Sequence, residues 1–311
     1  MLTPPDVLVL GAGGVLGEAW LMGVLAGIED ATGFDLRGCE YFVGTSAGAI
    51  VAAHLSAGNA PRRPPSPGAE LELPSSRAAG PLAVAALHAA RRAGAFALSA
   101  SAMFAPLALG AAAPGGALMR AALLRRLPRP QDTLEELRRE VDRSGAQFDG
   151  RLRVVTVDRG SGRRVVFGSP GAPPASVGEA VAASCTVPWL FAPVKIGDRE
   201  FVDGAVWSPT NLDVAPAGRD TYVLCLCPSA NIVGSSDSLI ALVRNVAKSA
   251  VSLEALTLRR RGATVSSVSP NVESAGAMGT NFMDREPRGR VLAAGYRQGL
   301  QLGTSHRDGH R

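Results

Sequence analysis

Two hydrophobic periods alternate along this chain. Asp6–Leu10 (DVLVL) is a short apolar run that ends in glycines, the pattern of a strand buried on both faces. Val15–Ala31 shifts to helical spacing, Tyr41-Phe42-Val43 is a second short apolar run, and Ala49–Ala57 reads as a helix of small residues. Strand, helix, strand, helix predicts a parallel sheet with crossover helices, and hence the α/β class. Further on, 131–144 is amphipathic, with Asp132-Thr133 at its start. Arg151–Asp158 and Arg163–Phe167 are strands around a Gly160-Ser161-Gly162 turn, and Ser176–Ser184 is a short helix. Val194–Ile196 and Glu200–Val202 form a hairpin around Gly197-Asp198, followed by a buried strand at Tyr222–Cys227. Asp237–Arg260 is a long helix, Ala263–Val268 a strand and Arg288–Leu302 a closing helix, with a polar tail over 304–311. No internal repeat is present, and the chain reads as a single domain over 1–311.

One segment breaks the alternation. Residues 59–80 hold five prolines, and residues 81–127 are Ala-rich and apolar. From Ala93 to Met119 there is no charge, yet Pro106, Pro114, Gly94, Gly110, Gly115 and Gly116 argue against one continuous membrane span. A cap of short helices is the expectation for 59–127, serving as a lid, with peripheral membrane contact through 81–127.

Composition narrows the classes. Hydrophobic residues make up 46% of 311 and charged residues 19%, which supplies a core and excludes a wholly disordered chain. Aromatics are only 5%, which argues against a nucleic-acid reader built on base stacking. The net charge of +5 is mild, and clusters such as Arg125-Arg126 and Arg259-Arg260-Arg261 read as solvated helix ends. Cys39, Cys185, Cys225 and Cys227 lack zinc spacing and are too few for a disulfide scaffold. They indicate a reducing compartment, and the opening MLTPPDVLVLGAGG reads as a first strand, so the expected location is cytoplasmic.

Three patterns carry candidate chemistry. Gly44-Thr45-Ser46-Ala47-Gly48 lies between a strand and a helix, as a nucleophile elbow requires, with the serine at a helix N-terminus that favours developing negative charge. The competing reading is a tight glycine turn with a capping serine. Gly11-Ala12-Gly13-Gly14-Val15-Leu16-Gly17 follows the first strand. A dinucleotide fingerprint would need glycine where Leu16 stands, and an acid at the end of the second strand. The other reading is a loop of free backbone N–H groups, brought beside the elbow by parallel pairing, that holds an oxyanion. A base is the third requirement. His54 follows Ser46 on the same helix, about 12 Å along its axis, and cannot reach back to it. His88 falls in the apolar insert, and His306 and His310 fall in the polar tail. A tail histidine stays open as the base beside Asp203, which a hairpin strand presents on the tight turn Asp203-Gly204-Ala205.

Taken together, these features resemble the patatin-like phospholipase family over about residues 5–57 and 150–303. The resemblance lies in Ala12-Gly13-Gly14-Val15-Leu16-Gly17, in Gly44-Thr45-Ser46-Ala47-Gly48 and in Asp203-Gly204-Ala205. Ala183-Ser184-Cys185-Thr186-Val187-Pro188 and the stretch from Met283-Asp284 to Gly295 are similar to further family segments. The resemblance implies a three-layer fold with a central, mainly parallel sheet. It implies a phospholipase A or lysophospholipase type of serine acyl hydrolase with Ser46 as nucleophile, Asp203 as base and Gly13 and Gly14 as oxyanion donors. Gly44, Gly48 and Gly204 complete the motifs. A lipid or acyl-ester substrate is implied, with no metal or cofactor and no nucleic acid. Two departures stand out: Ala12 replaces the first loop glycine, and Leu16 stands where the family usually has a basic residue. The alternatives are a non-catalytic lipid-binding protein of the same fold and a nucleotide-binding oxidoreductase.

Overall fold

A computed structural model of the chain describes residues 3–65, 116–230 and 238–307. Most of the Pro- and Ala-rich insert, with His88, therefore lies outside the described residues, as does the end of the tail with His310. The parallel opening predicted above is present. β1 (Val7–Leu10) pairs in parallel with β2 (Tyr41–Thr45), and α1 (Gly14–Thr32) crosses between them. After β2 come α2 (Ala47–Ser56), α3 (Gly116–Arg126), α4 (Glu135–Arg143), β3 (Leu152–Asp158) and β4 (Arg164–Phe167). The chain continues through α5 (Val177–Ser184), β5 (Val194–Ile196), β6 (Arg199–Asp203) and β7 (Tyr222–Leu226). It ends with α6 (Ser238–Arg260), β8 (Thr264–Val268), α7 (Val272–Met278) and α8 (Arg288–Arg307). The sheet runs β5-β6-β3-β2-β1-β7-β8, with β4 paired to β3. From β3 to β8 every neighbour is parallel, while β4, β5 and β6 join antiparallel.

The unbroken VLVL of β1 is explained by what covers it. Side chains alternate across a strand. Leu8 and Leu10 enter a core with α1, α2 and α5, whereas Val7 and Val9 enter a second core with Val251, Ala255 and Leu258 of α6. Two buried faces make three layers, the arrangement that parallel sheets need.

α1 and α8 meet along a glycine seam. A Cβ at Gly23 would strike the Leu292 carbonyl, and one at Gly27 the Tyr296 carbonyl. Gly299 presses in the same way on the Val24 carbonyl. Across this seam the Trp20 indole N–H donates to Gln298 Oε1 at 3.0 Å.

The structure departs from the sequence expectation in three elements. α4 begins at Glu135 with Leu134 as its N-cap, four residues after the expected start at 131, so Asp132 and Thr133 lie outside it. α8 continues to Arg307 instead of ending at Leu302, because Gly303 still packs on Ala31 and Thr32. The first part of the polar tail is thus helical. α7 has no apolar period to announce it; the Asn271 side chain caps it by accepting from the Ser274 N–H at 2.9 Å. Within the insert, α3 is tied to the sheet. Leu124 packs with Val157, Val202 and Val206, Arg120 donates to the Gly162 carbonyl at 2.6 Å, and its guanidinium lies 4.3 Å from the Trp207 ring. Among the described residues no helix is long and apolar enough to cross a membrane.

Candidate active site

Ser46 is the single residue between the end of β2 and the start of α2. The change from strand to helix within one residue forces it to φ 54° and ψ −122°, a conformation L-residues avoid at a cost of about 1–3 kcal/mol. Neighbouring bonds hold it there. Its N–H donates to Ser184 Oγ at 2.9 Å and its carbonyl accepts from the Ala49 N–H at 2.8 Å. Any side chain at Gly48 would run into the Leu10 carbonyl, and one at Gly44 into the backbone of Ala49. The Ser46 hydroxyl makes no capping bond to α2. The capping alternative therefore does not describe this serine, whose hydroxyl is left for other partners.

Strand register brings Asp203 to the same end of the sheet. Thr45 is opposite Val155 in β3, and the next β3 residue, Thr156, is opposite Asp203 in β6. Asp203 is 1% exposed. Its Oδ1 accepts from the Ala205 N–H at 2.8 Å, which is the bond expected of a turn residue. The Ser46 hydroxyl is also near enough to act on the Asp203 carboxyl, lowering its pKa. Burial pushes the Asp203 pKa up to about 7, and the Ala205 N–H and the Ser46 hydroxyl offset only part of that rise.

The glycine loop lies against the same sheet end. Within it the Ala12 N–H donates to the Pro209 carbonyl at 2.8 Å and the Leu16 N–H to the Phe282 carbonyl at 3.1 Å. No described residue accepts from the N–H of Gly13 or Gly14. Gly14 has φ 58°, and a Cβ there would meet the Phe282 carbonyl and the Met283 sulfur. Leu16 is fully buried in the core with α1. Its side chain thus packs inward at the position where a dinucleotide loop would need glycine.

Several residues near this site went unread in the sequence. Ser184, 0% exposed, accepts from the Ser46 N–H and donates its own hydroxyl to the Val155 carbonyl at 2.7 Å. The Asp203 N–H donates to the Thr186 carbonyl at 2.9 Å. Between them Cys185 is close enough to feel both the Ser46 hydroxyl and the Asp203 charge. Burial first, and Asp203 second, raise its pKa well above the usual thiol value. The end of α5 therefore bonds to both candidate residues, and the Ala183–Pro188 segment was the signal that could have pointed to it. His54 sits at the far end of α2, with Nε2 3.2 Å from the Ala60 carbonyl. All four cysteines are free and buried.

A family model described as patatin-like phospholipase matches residues 8–216, about two thirds of the chain, and includes both Ser46 and Asp203. None of the curated proteins compared with the chain matches it. Among solved structures, the chain is similar to the crystal structure of VipD from Legionella pneumophila at 13% identity and a TM-score of 0.46. That similarity covers 98% of this chain and 67% of VipD.

The environment of Asp203 fixes the sign of its effect on stability. In the unfolded chain the carboxyl ionises near 3.8, but in the fold only near 7. Between about pH 4 and 7 folding takes up a proton, so stability falls as pH rises through that window and stays lower above it. Asp203→Asn should therefore be more stable than the natural chain at pH 8, by roughly 1–4 kcal/mol, with the gain vanishing below about pH 4. Urea unfolding at both pH values checks this. An Asn variant no more stable than the natural chain at pH 8 would contradict the buried-carboxyl assignment.

Proposed function

Because the chain belongs to the patatin-like phospholipase family, whose members are lipid acyl hydrolases, we propose that it is a serine esterase of lipid acyl esters working through a Ser46–Asp203 dyad. The observation that supports this reading best is the pairing itself. The hydroxyl of a strained serine at a helix N-terminus faces a carboxyl whose burial tunes it to about 7. A general base is most effective with a pKa near the working pH, so an aspartate placed this way can do work usually given to histidine.

The steps follow from the positions. Ionised Asp203 takes the proton of Ser46 as Oγ forms a bond to the ester carbonyl carbon. The carbonyl oxygen becomes an oxyanion, which the N–H groups of Gly13 and Gly14 receive, aided by the N-terminal dipole of α2. The tetrahedral intermediate collapses with loss of the alcohol, to which Asp203 returns the proton. Water then repeats the sequence on the acyl-enzyme. It loses a proton to Asp203, adds to the acyl carbon and releases a fatty acid as Ser46 regains its proton. In this reading the reaction uses no metal and no cofactor. Phospholipase A and lysophospholipase substrates both fit the mechanism.

The surface of α3 supports peripheral contact with lipid. Leu118, Met119 and Leu123 are 77%, 58% and 39% exposed, and Arg125 and Arg126 follow them on the same helix. An apolar face bordered by cations suits an anionic bilayer surface.

Two experiments test these assignments. A fluorophosphonate probe should label the Ser46 peptide, and Ser46→Ala and Asp203→Asn should each lower kcat on a soluble ester by about 10³-fold or more. Labelling at another serine, or an Asp203→Asn variant that labels at the natural rate, would refute the dyad. Leu118→Glu with Met119→Glu should cut hydrolysis of anionic lipid vesicles by about tenfold while sparing the soluble ester. Equal vesicle activity would remove α3 from the lipid contact.

A further inference from the structure

The loop after Asp203 carries an asparagine that the proposed chemistry does not use. Asn211 is 0% exposed and has left-handed backbone, φ 49° and ψ 38°, which asparagine tolerates better than most residues. Its Nδ2 donates to Thr45 Oγ1 at 3.2 Å, to the Gly204 carbonyl at 3.2 Å and to the Ser208 carbonyl at 2.7 Å. Thr45 immediately precedes Ser46, and Gly204 immediately follows Asp203. One carboxamide therefore spans the side chain of the residue before the candidate nucleophile and the backbone after the candidate base.

The asparagine is itself pinned from two sides. Arg164 of β4 donates to its Oδ1 at 3.1 Å while gripping Asp213 with both Nη atoms, at 2.6 and 2.7 Å. Glu254 of α6 accepts from Thr210 Oγ1 and from the Leu212 N–H, each at 2.8 Å, and so fixes the residues on either side of Asn211. The amide has one chemically consistent orientation. Arg164 can only donate, and the carbonyls of Gly204 and Ser208 can only accept. Aspartate, equal in size, would set a carboxylate against two carbonyl oxygens.

We propose that Asn211 is the positioning residue of the dyad, setting the distance between the Ser46 hydroxyl and the Asp203 carboxyl by tying together the two turns that carry them. The inference rests on the Ser46–Asp203 reading. β2 and β6 do not pair with each other; β3 lies between them in the sheet. Asn211 is a direct side-chain link between their ends, beside the links made by the end of α5. A displacement of about 1 Å between reacting groups can lower a rate about 100-fold without changing affinity for substrate.

Asn211→Gly keeps the left-handed backbone and deletes the carboxamide, which makes it the first variant to test. Its fluorophosphonate labelling of Ser46 and its kcat on a soluble ester should fall about 10- to 100-fold, with KM within about twofold and a cooperative unfolding transition retained. Thr45→Val removes one of the three acceptors and should lower both rates about 3- to 10-fold, and the double variant should be no slower than Asn211→Gly alone. A folded Asn211→Gly protein with natural kcat and labelling overturns the inference. If that variant does not fold, Thr45→Val decides, and natural rates there overturn it. If the natural chain itself is not labelled at Ser46, the dyad reading fails and the positioning role falls with it; labelling of the natural chain separates the two.

Discussion

A carboxyl held out of water beside a hydroxyl constrains the whole of this fold. Asp203 has two compensating partners for its burial, the Ala205 N–H and the Ser46 hydroxyl, and its pKa therefore stands near 7. A water-exposed turn at the same place would leave an ordinary carboxylate, already ionised and too weak a base for a serine hydroxyl. The surroundings of Asp203 keep that turn dry. Val202 and Val206 pack with Leu124 of α3, and Gly204 presses on the Val155 carbonyl so closely that no side chain fits.

The opposite partner carries a cost of its own, the backbone strain at Ser46. Rigid elements on every side bear it: the parallel pairing of β1 and β2, the contact of Gly48 with the Leu10 carbonyl, and the bond from the Ser46 N–H to Ser184. The antiparallel strands β4 to β6 have their purpose here as well. A strand running against β3 can place its last residue, Asp203, one β3 position from the register of Thr45. A purely parallel sheet with its helical crossovers would not offer a tight turn at that point. The mixed sheet and the strained turn are consequently two parts of one arrangement, and only the turn carries a backbone cost.

Much of this was legible in the residues. The parallel opening could be read from DVLVL and YFV because buried strands are short and apolar, and the glycines on both sides of Ser46 marked a turn too tight for side chains. The order of the three motifs resembles the family whose model matches residues 8–216. What the sequence withheld depends on contacts distant in the chain. Asn211 lies 166 residues from Thr45, so no local spacing reveals it, whereas Ser184, 138 residues from Ser46, falls within the Ala183–Pro188 segment. The pKa of Asp203 is set by how completely the fold covers it, which the Asp-Gly-Ala turn alone does not disclose. α7 was missed because a cap and three buried side chains define it, with no apolar period. Leu16, a departure from the family loop, becomes intelligible only as a core residue of α1.

The central claim is that burial of Asp203 makes it the base for Ser46, and the pH dependence of Ser46 acylation tests this most directly. The rate of fluorophosphonate labelling, followed between about pH 4 and 9 on folded protein, should rise with a single ionisation at about 7. The Asp203→Asn protein should lack that step. A midpoint near 4, the ordinary carboxylate value, or a profile indifferent to the loss of Asp203, would show that some other group activates the serine.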